Sequence, residues 1–508
     1  MAVTRRSVLQ AGLMSAGALV LAPTRFAAAE AGASTTKTIT GHLDTGAADF
    51  VYLPVDVPHG VNQLAVSYSY DKPAVPPGVL ANSCDIGVFD QHGIDLGGDG
   101  FRGWSGGFRT EFAISAESAT PGYLPGPVRA GRWHVVLGPY QVAPQGLNYQ
   151  VQITLTFGPD GAPFRPQYPP QRVAGKTRGW YRGDCHLHTV YSDGKRLPKE
   201  VAAGARTAGL DFMVTTDHNT PASHGVWGPL AGDDLLIITG EEITTRNGHY
   251  LGLGLPPGEW IDWRYRARDG GDYAEAARQI HRSGGIVVPA HPYCAFVACR
   301  WKFGYDEADA VEVWNGPWTV DDESAVDTWD SMLVESVRGK RRWLPAMGNS
   351  DAHSEPQVIG LPHNVVLSDG LSKDAVLDGI RSGRTWIAES STVNVSFSAK
   401  SGGRTAGISE RLAVGEQAPV DVTLEVSGVP NGVVRILSDE GHVLQAQLDA
   451  SGAGTVTYRT TPSLAAYVRA EVRHLRPDGT PGNGNGMGPD LQLGPMAALT
   501  NPIFLGRD

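Results

Sequence analysis

Between residues 183 and 353 one arrangement recurs: a short apolar run ends on a histidine or a carboxylate. "GDCHLHTVYSDGK" offers His186, His188 and Asp193, and "TTDHN" offers Asp217 and His218. "IITGEEITT" offers Glu241 and Glu242, with His249 a short turn later in "NGHYLGL". "VPAHPY" offers His291, and "GNSDAHS" offers Asp351 and His353. Helical stretches precede several of these runs: "KEVAAGARTAGL" before "DFMVTTDH", "DYAEAARQIHRSGG" before "IVVPAHP", and "AVDTWDSMLVESVRGK" before "WLPAMGNSDAH". Strand–helix alternation implies a parallel sheet or a (β/α) barrel. In a barrel, the residues at the carboxyl ends of the strands converge on one face. On a strand, residues i and i+2 share a side, so His186 and His188 can grip one ion. Six histidines (186, 188, 218, 249, 291, 353) and three carboxylates then meet in one pocket. A core has no use for so many ionisable groups, because each unpaired buried one is costly. Mixed nitrogen and oxygen ligands without thiolate suit Zn, Mn or Fe.

The chain is too long, at 508 residues, for one core. Residues 36–158 read as an N-terminal β-sandwich, most clearly in "YQVQITLTF", where Tyr149, Val151, Ile153, Leu155 and Phe157 alternate with polar residues. The proline-rich stretch 159–177 reads as a stiff linker. Residues 178–390 carry the strand–helix alternation. Residues 391–508 return to short alternating strands ("DVTLEV", "GVVRIL", "AYVRAEVR") and read as a second sandwich. Residues 1–31 read as an export signal. Thr4 to Leu9 resembles the twin-arginine motif, an apolar stretch Ala11 to Ala22 follows, and "AAAEA" offers cleavage after Ala29 or Ala31. That implies the twin-arginine export machinery as a partner and a periplasmic or extracellular location. The apolar stretch is too short to span a bilayer, so no stable membrane insertion is expected. A net charge of −11 gives no general attraction to nucleic acid. Four cysteines are too few for a disulfide scaffold. Cys294 and Cys299 either pair after export or stay reduced, and Cys185 reads as core.

As a set, His186-x-His188, Asp193, Asp217-His218, Gly240-Glu241-Glu242, His249, Ala290-His291-Pro292 and Ser350-Asp351-Ala352-His353 resemble the motifs of the PHP (polymerase and histidinol phosphatase) metallohydrolases. "WYRGDCHLHTVYSDG", "VEVWNG" and "TNPIF" resemble its exported CehA/McbA-type branch, named after carbaryl hydrolases. The resemblance is strong over residues 178–390, weak at the end of the chain and almost absent from the first sandwich. It implies an α/β chain with a distorted (β/α)7 barrel between two β-sandwiches, and two or three divalent metal ions. His186, His188, Glu242 and Asp351 would hold the first ion. Glu242, His249 and His291 would hold the second, and Asp193, His218 and His353 the third. An amidohydrolase barrel also begins with His-x-His, but usually adds a bridging lysine and a lone late aspartate.

Two neighbouring cations can share a water and ionise it near neutrality, which points to ester hydrolysis by a bridging hydroxide. A phosphoester, mono- or diester, is the first substrate expectation. A carbamate or carboxylic ester is the alternative, and a metal-stabilised binding protein without catalysis is the third. A phosphoester pocket should show several cations, an aryl-ester pocket an apolar wall. The export signal and acidic charge disfavour a DNA-processing exonuclease. Glu242, His186, His188, Asp351 and Asn315 are the candidate catalytic residues. Asn315 is preferred over Arg246, Arg300 and Lys302 as a contact to substrate, because its strand position matches the ligand-bearing strands. Asp217 reads as a partner that orients a histidine. Glu241 reads as a salt bridge facing a helix, and His224 and His281 read as structural.

Overall fold

The structure is a computed structural model that describes residues 32–475 and 493–507. The proposed export segment, residues 1–31, lies outside the described residues. The chain divides into two compact units, Met1–Arg165 and Pro166–Asp508. Among the described residues, no helix is long and apolar enough to cross a membrane.

The first unit consists of two four-stranded antiparallel sheets. One orders Ser34–Leu43, Leu147–Phe157, Val61–Tyr70 and Glu111–Ser115. The other orders Val51–Val57, Gly131–Gln141, Ser83–Phe89 and Phe101–Trp104. Val151, Ile153, Leu155 and Phe157 are buried while the glutamines between them are exposed, so period-two alternation sets the inner face. They share one core with Leu64, Val66, Ile86, Trp133 and Val135 from both sheets.

The second unit carries the strand–helix region. Its elements are β1 (Gly179–Asp184), α1 (Pro198–Thr207), β2 (Phe212–Thr215), β3 (Leu236–Thr245), β4 (Gly248–Leu253), α2 (Gly271–Arg282), β5 (Ile286–Pro289), β6 (Val311–Asn315), α3 (Val320–Val337), β7 (Ala346–Asn349), β8 (His363–Ser368), α4 (Lys373–Arg381) and β9 (Thr385–Ala388). The helices bury residues at helical spacing: Pro198, Val201, Ala202 and Ala205 on α1, and Tyr273, Ala276, Ala277 and Ile280 on α2. Strands β2 ("FMVT") and β5 ("IVVP") are buried throughout, as unbroken apolar runs predict.

The sheet is mixed and open. β1, β2 and β3 run parallel, but β3–β4, β4–β5, β1–β8 and β8–β9 are antiparallel. β6 and β7 pair in parallel with each other, apart from the main sheet. The expected seven-stranded barrel is therefore corrected: among the described residues no sheet closes on itself. Two breaks leave it open: among the described residues β5 does not pair with β6, nor β7 with β1. Strand direction also departs from a (β/α) barrel, because Arg246-Asn247 makes a tight hairpin between β3 and β4 where a crossover helix would keep the strands parallel, with Gly248 at φ 112°. Side chains bridge the breaks that backbone pairing leaves. Asn349 Oδ1, at the end of β7, accepts from Cys185 N at 2.9 Å. Asp309, just before β6, accepts from Val287 N of β5 at 2.9 Å.

The last strands extend this sheet: β9 pairs with Leu493–Thr500, which pairs with Tyr467–Leu475. A four-stranded sheet built on Asn394–Ser401, Val420–Ser427 and Gly454–Thr460 shares a core with it through Phe397, Leu424, Ile436 and Val472. Arg469 and Arg473, flanking Glu471, reach Asp330 and Glu323 on α3 at 2.6 and 3.0 Å, tying the C-terminal strands to the helix beside the site.

Candidate metal centre

The nine sequence-predicted ligands lie on or just after strands of the second unit, except Asp193, which lies in the loop between β1 and α1. His186 and His188 follow β1, His218 follows β2, Glu242 lies on β3, His249 on β4, His291 follows β5, and Asp351 and His353 follow β7. Single-residue bridges align the loops. Leu187 pairs with Ala352, bringing His186 and His188 beside Asp351 and His353, and His218 pairs with Glu242. The Asn219 side chain completes the second junction by pairing with both backbone groups of Thr244. Lys195 N donates to His353 O at 2.8 Å, which draws the loop of Asp193 into the cluster. His291 and Asp351 hold left-handed backbones, φ 27° and 48°. A non-glycine residue there costs on the order of 1 kcal/mol, and such conformations cluster at functional sites.

The donor atoms converge on common points. His186 Nε2 lies 3.2 Å from Glu242 Oε2 and 3.2 Å from Asp351 Oδ1. His188 Nε2 lies 3.3 Å and 3.0 Å from the same two oxygens. All four atoms are buried and none has a hydrogen-bond partner. Four donors around one ion at about 2.0 Å would stand about 3.3 Å apart, so this spacing fits a shared cation. Glu242 Oε1 meets His249 Nδ1 at 2.9 Å and His291 Nε2 at 3.1 Å, and His249 Nε2 is a further buried atom without a partner. Asp193 Oδ1, likewise unpartnered, lies 3.2 Å from His353 Nε2 and 3.5 Å from His218 Nε2. His218 also turns Nδ1 to Glu242 Oε2 at 2.9 Å, so it stands between two groups of donors.

Electrostatics agree. Burial opposes charge throughout, yet the surrounding histidines hold Glu242, Asp351 and Asp193 well below the ordinary carboxylate range. Burial likewise opposes protonation of His186, His218, His291 and His353, and the carboxylates outweigh it, raising all four and bringing His218 to about 9. His249 is the exception, lowered by burial to about 4. The cluster demands positive charge, and in its absence holds protons.

Buried polar residues fix the donors. Glu312 Oε1 accepts from His186 Nδ1 at 3.0 Å and from Asn349 Nδ2 at 2.8 Å. Its Oε2 accepts from His291 N at 2.8 Å and Asn315 Nδ2 at 3.0 Å. With Nδ1–H committed to Glu312, His186 presents Nε2 as the free donor. Asp184 accepts from His186 N, Ser350 N, the Ser350 hydroxyl and Gly360 N, and burial raises it to about 6. Neither Glu312 nor Asp184 was singled out from the sequence; the available signal was a lone carboxylate in the apolar run Val311–Trp314 for Glu312, and for Asp184 its place two residues before His186.

Other candidates fall as follows. Asn315 lines the cavity, and its amide donates to Glu312 and to Asp351 at 3.3 Å, so it positions a donor set. Asp217 accepts from Thr189 and Ser192 and reaches His188 only through the Ser192 hydroxyl. Glu241 faces away from Glu242 and accepts from Ile261 N at 3.2 Å in place of the helix-facing salt bridge expected of it, and burial raises its pKa. His224 contacts Gly240 O and Gly258 N, and His281 pairs with Asp309 at 2.7 Å, both outside the cluster. Cys294 and Cys299 form a disulfide. A cavity of about 530 Å³ opens over the donors. Pro292, Tyr293, Phe296, Val313, Pro317 and Ala325 contribute to its wall, and no lysine or arginine lines it among the described residues.

The sequence matches no family model and no curated protein. Among solved structures, the chain is similar to a two-domain protein from Bacteroides vulgatus ATCC 8482 containing a predicted PHP-like metal-dependent phosphoesterase, at 18% identity and TM-score 0.34 over 62% of this chain and 95% of that one. It is also similar to an amidohydrolase from Chromobacterium violaceum with bound sulfate and no metal, at 18% identity and TM-score 0.25 over 35% of this chain and 89% of that one. A third, a protein from Bifidobacterium adolescentis ATCC 15703 assigned as a metal-dependent phosphoesterase, matches at 18% identity and TM-score 0.24 over 42% and 96%. Overlaps this low leave the site to be argued from its own geometry.

Proposed function

We propose that this chain is a metal-dependent hydrolase of ester bonds, with His186, His188, Asp193, His218, Glu242, His249, His291, Asp351 and His353 holding two or three divalent cations. The observation that carries the reading is the set of buried donor atoms without hydrogen-bond partners, four of them at the spacing of one coordination shell. When bound, such cations supply Lewis-acid polarisation and a water that ionises near neutrality. The chain's own residues do the rest. Glu242 presents one oxygen to each of two donor groups, and Glu312 and Asp184 hold His186 in one tautomer and position. The cavity is large enough to admit a small-molecule ester. The reading belongs with PHP-type chemistry, and the arginine pair and apolar stretch within residues 1–31 support export of the chain by the twin-arginine route.

Within this reading the cavity favours an uncharged ester, carboxylic or carbamate, over a phosphomonoester. An anionic group gains most from arginine or lysine. Here the lining outside the donor cluster carries Tyr293, Phe296 and Val313, adds the carboxylates of Asp321 and Asp322, and holds no arginine or lysine among the described residues. The test is turnover by metal-stripped and metal-replete protein on p-nitrophenyl phosphate, bis-p-nitrophenyl phosphate and 1-naphthyl methylcarbamate. Metal-dependent hydrolysis with the carbamate ahead of the monoester is expected. Full metal loading with no turnover of any ester would leave a binding protein.

A further inference from the structure

One wall of the cavity takes no part in holding the donor cluster. We infer that Phe296, on the loop closed by the Cys294–Cys299 disulfide, is a specificity-determining residue that stacks on a flat apolar group of the substrate. The inference rests on the uncharged-ester reading above. Phe296 is 81% exposed yet lines the cavity over the donors. A single exposed apolar residue is ordinary on a protein surface. This one shares a cavity lining with Pro292, Tyr293, Val313, Pro317 and Ala325. The other aromatic ring of the lining, Tyr293, is already engaged by the Thr328 hydroxyl and by the Arg300 guanidinium 5.2 Å from its centroid. Phe296 makes no ring contact among the described residues, so its face is open.

The loop is also held still. The disulfide closes it, Cys299 N donates to Phe296 O at 3.2 Å, and Gly248 N on β4 donates to Ala298 O at 2.8 Å. Ala298 sits at φ 65°, a conformation kept only where surrounding contacts fix it. With the backbone fixed, only the two side-chain torsions of Phe296 are ordered when the ring packs on substrate, so most of its burial appears as discrimination between substrates.

The test compares kcat/KM for phenyl acetate with kcat/KM for methyl acetate in the metal-replete full chain. Phe296→Ala should lower the phenyl-to-methyl ratio about tenfold, and Phe296→Tyr should restore it. Leu464→Ser, another exposed apolar residue (59%) outside the cavity lining, should leave the ratio unchanged. A ratio in Phe296→Ala within twofold of the wild type, with both esters still hydrolysed, overturns this inference alone. Wild-type protein that hydrolyses neither acetate but does hydrolyse a phosphoester overturns the uncharged-ester reading and this inference with it.

Discussion

Glu312 accepts four hydrogen bonds, two on each oxygen, and they come from His186, Asn349, the His291 backbone and Asn315. A carboxylate can accept all four, whereas an amide must aim its own N–H groups at donors. Glu312→Gln should therefore weaken metal affinity by about ten- to a hundredfold with the fold intact, measured by competition with a chelator. Wild-type affinity in that variant would mean that Glu312 does not orient His186. Histidines and carboxylates near the ends of apolar runs were visible in the sequence, and the resemblance to PHP motifs chose nine among them. Glu312 and Asp184 were not singled out, because Glu312 sits inside a strand, Asp184 closes β1, and only their contacts in three dimensions show what they orient. Asn315 was legible as a site residue, but its bonding to two carboxylates was not.

Gly194 sits on the loop that joins β1 to α1, beside Asp193. A Cβ built there would lie 2.7 Å from the His188 carbonyl carbon and from Thr189 N, backbone atoms that cannot swing aside. Gly194→Ala should displace Asp193 and lower turnover at least tenfold, with smaller loss of thermal stability; unchanged kinetics would show that the loop is free to adjust. His281, at the end of α2, pairs with Asp309, which also receives Val287 N. His281→Ala should leave turnover within about twofold, since Asp309 keeps its backbone partner. A large loss with folding preserved would place α2 in the site. At this scale the helices and the buried strands β2 and β5 followed from hydrophobic spacing, while the stretch before His249 was read only as a short turn and not as an antiparallel hairpin. The expected closed barrel did not follow. Strand direction depends on which neighbours pair, and the Asn349 and Asp309 side chains span breaks that periodicity cannot reveal.

Over the whole molecule, the N-terminal strand Leu147–Phe157 was legible because its buried residues alternate, whereas the C-terminal strands' continuity with the main sheet was not, because pairing across more than a hundred residues leaves no local trace. The buried histidines set a pH dependence for the metal-free chain. The stabilisation from His186, His218, His291 and His353, all raised, is complete below the ordinary value of about 6.5 and is lost as pH rises through their folded values, about 9 for His218. His224, His249 and His363 are lowered to about 4 by burial, so their contribution falls as pH drops from about 6.5 toward 4. The lowered carboxylates add a further loss only in more acid solution. Buried Asp184, Glu241 and Asp322 are raised and oppose the lowered histidines on the acid side, so the expected outcome is on the alkaline side: the thermal midpoint of metal-stripped protein should fall as pH rises from about 6.5 to 9. Added Zn or Mn should raise it more at pH 8.5 than at pH 6, since cations displace protons from the histidines. A metal effect that shrinks with rising pH would contradict this. The most direct measurement is anomalous diffraction from crystals of metal-loaded protein. The account predicts peaks within coordination distance of both Glu242 oxygens, one of them shared with His186, His188 and Asp351. Metal-replete crystals with no peak touching Glu242, or with peaks only at surface carboxylates, would contradict it.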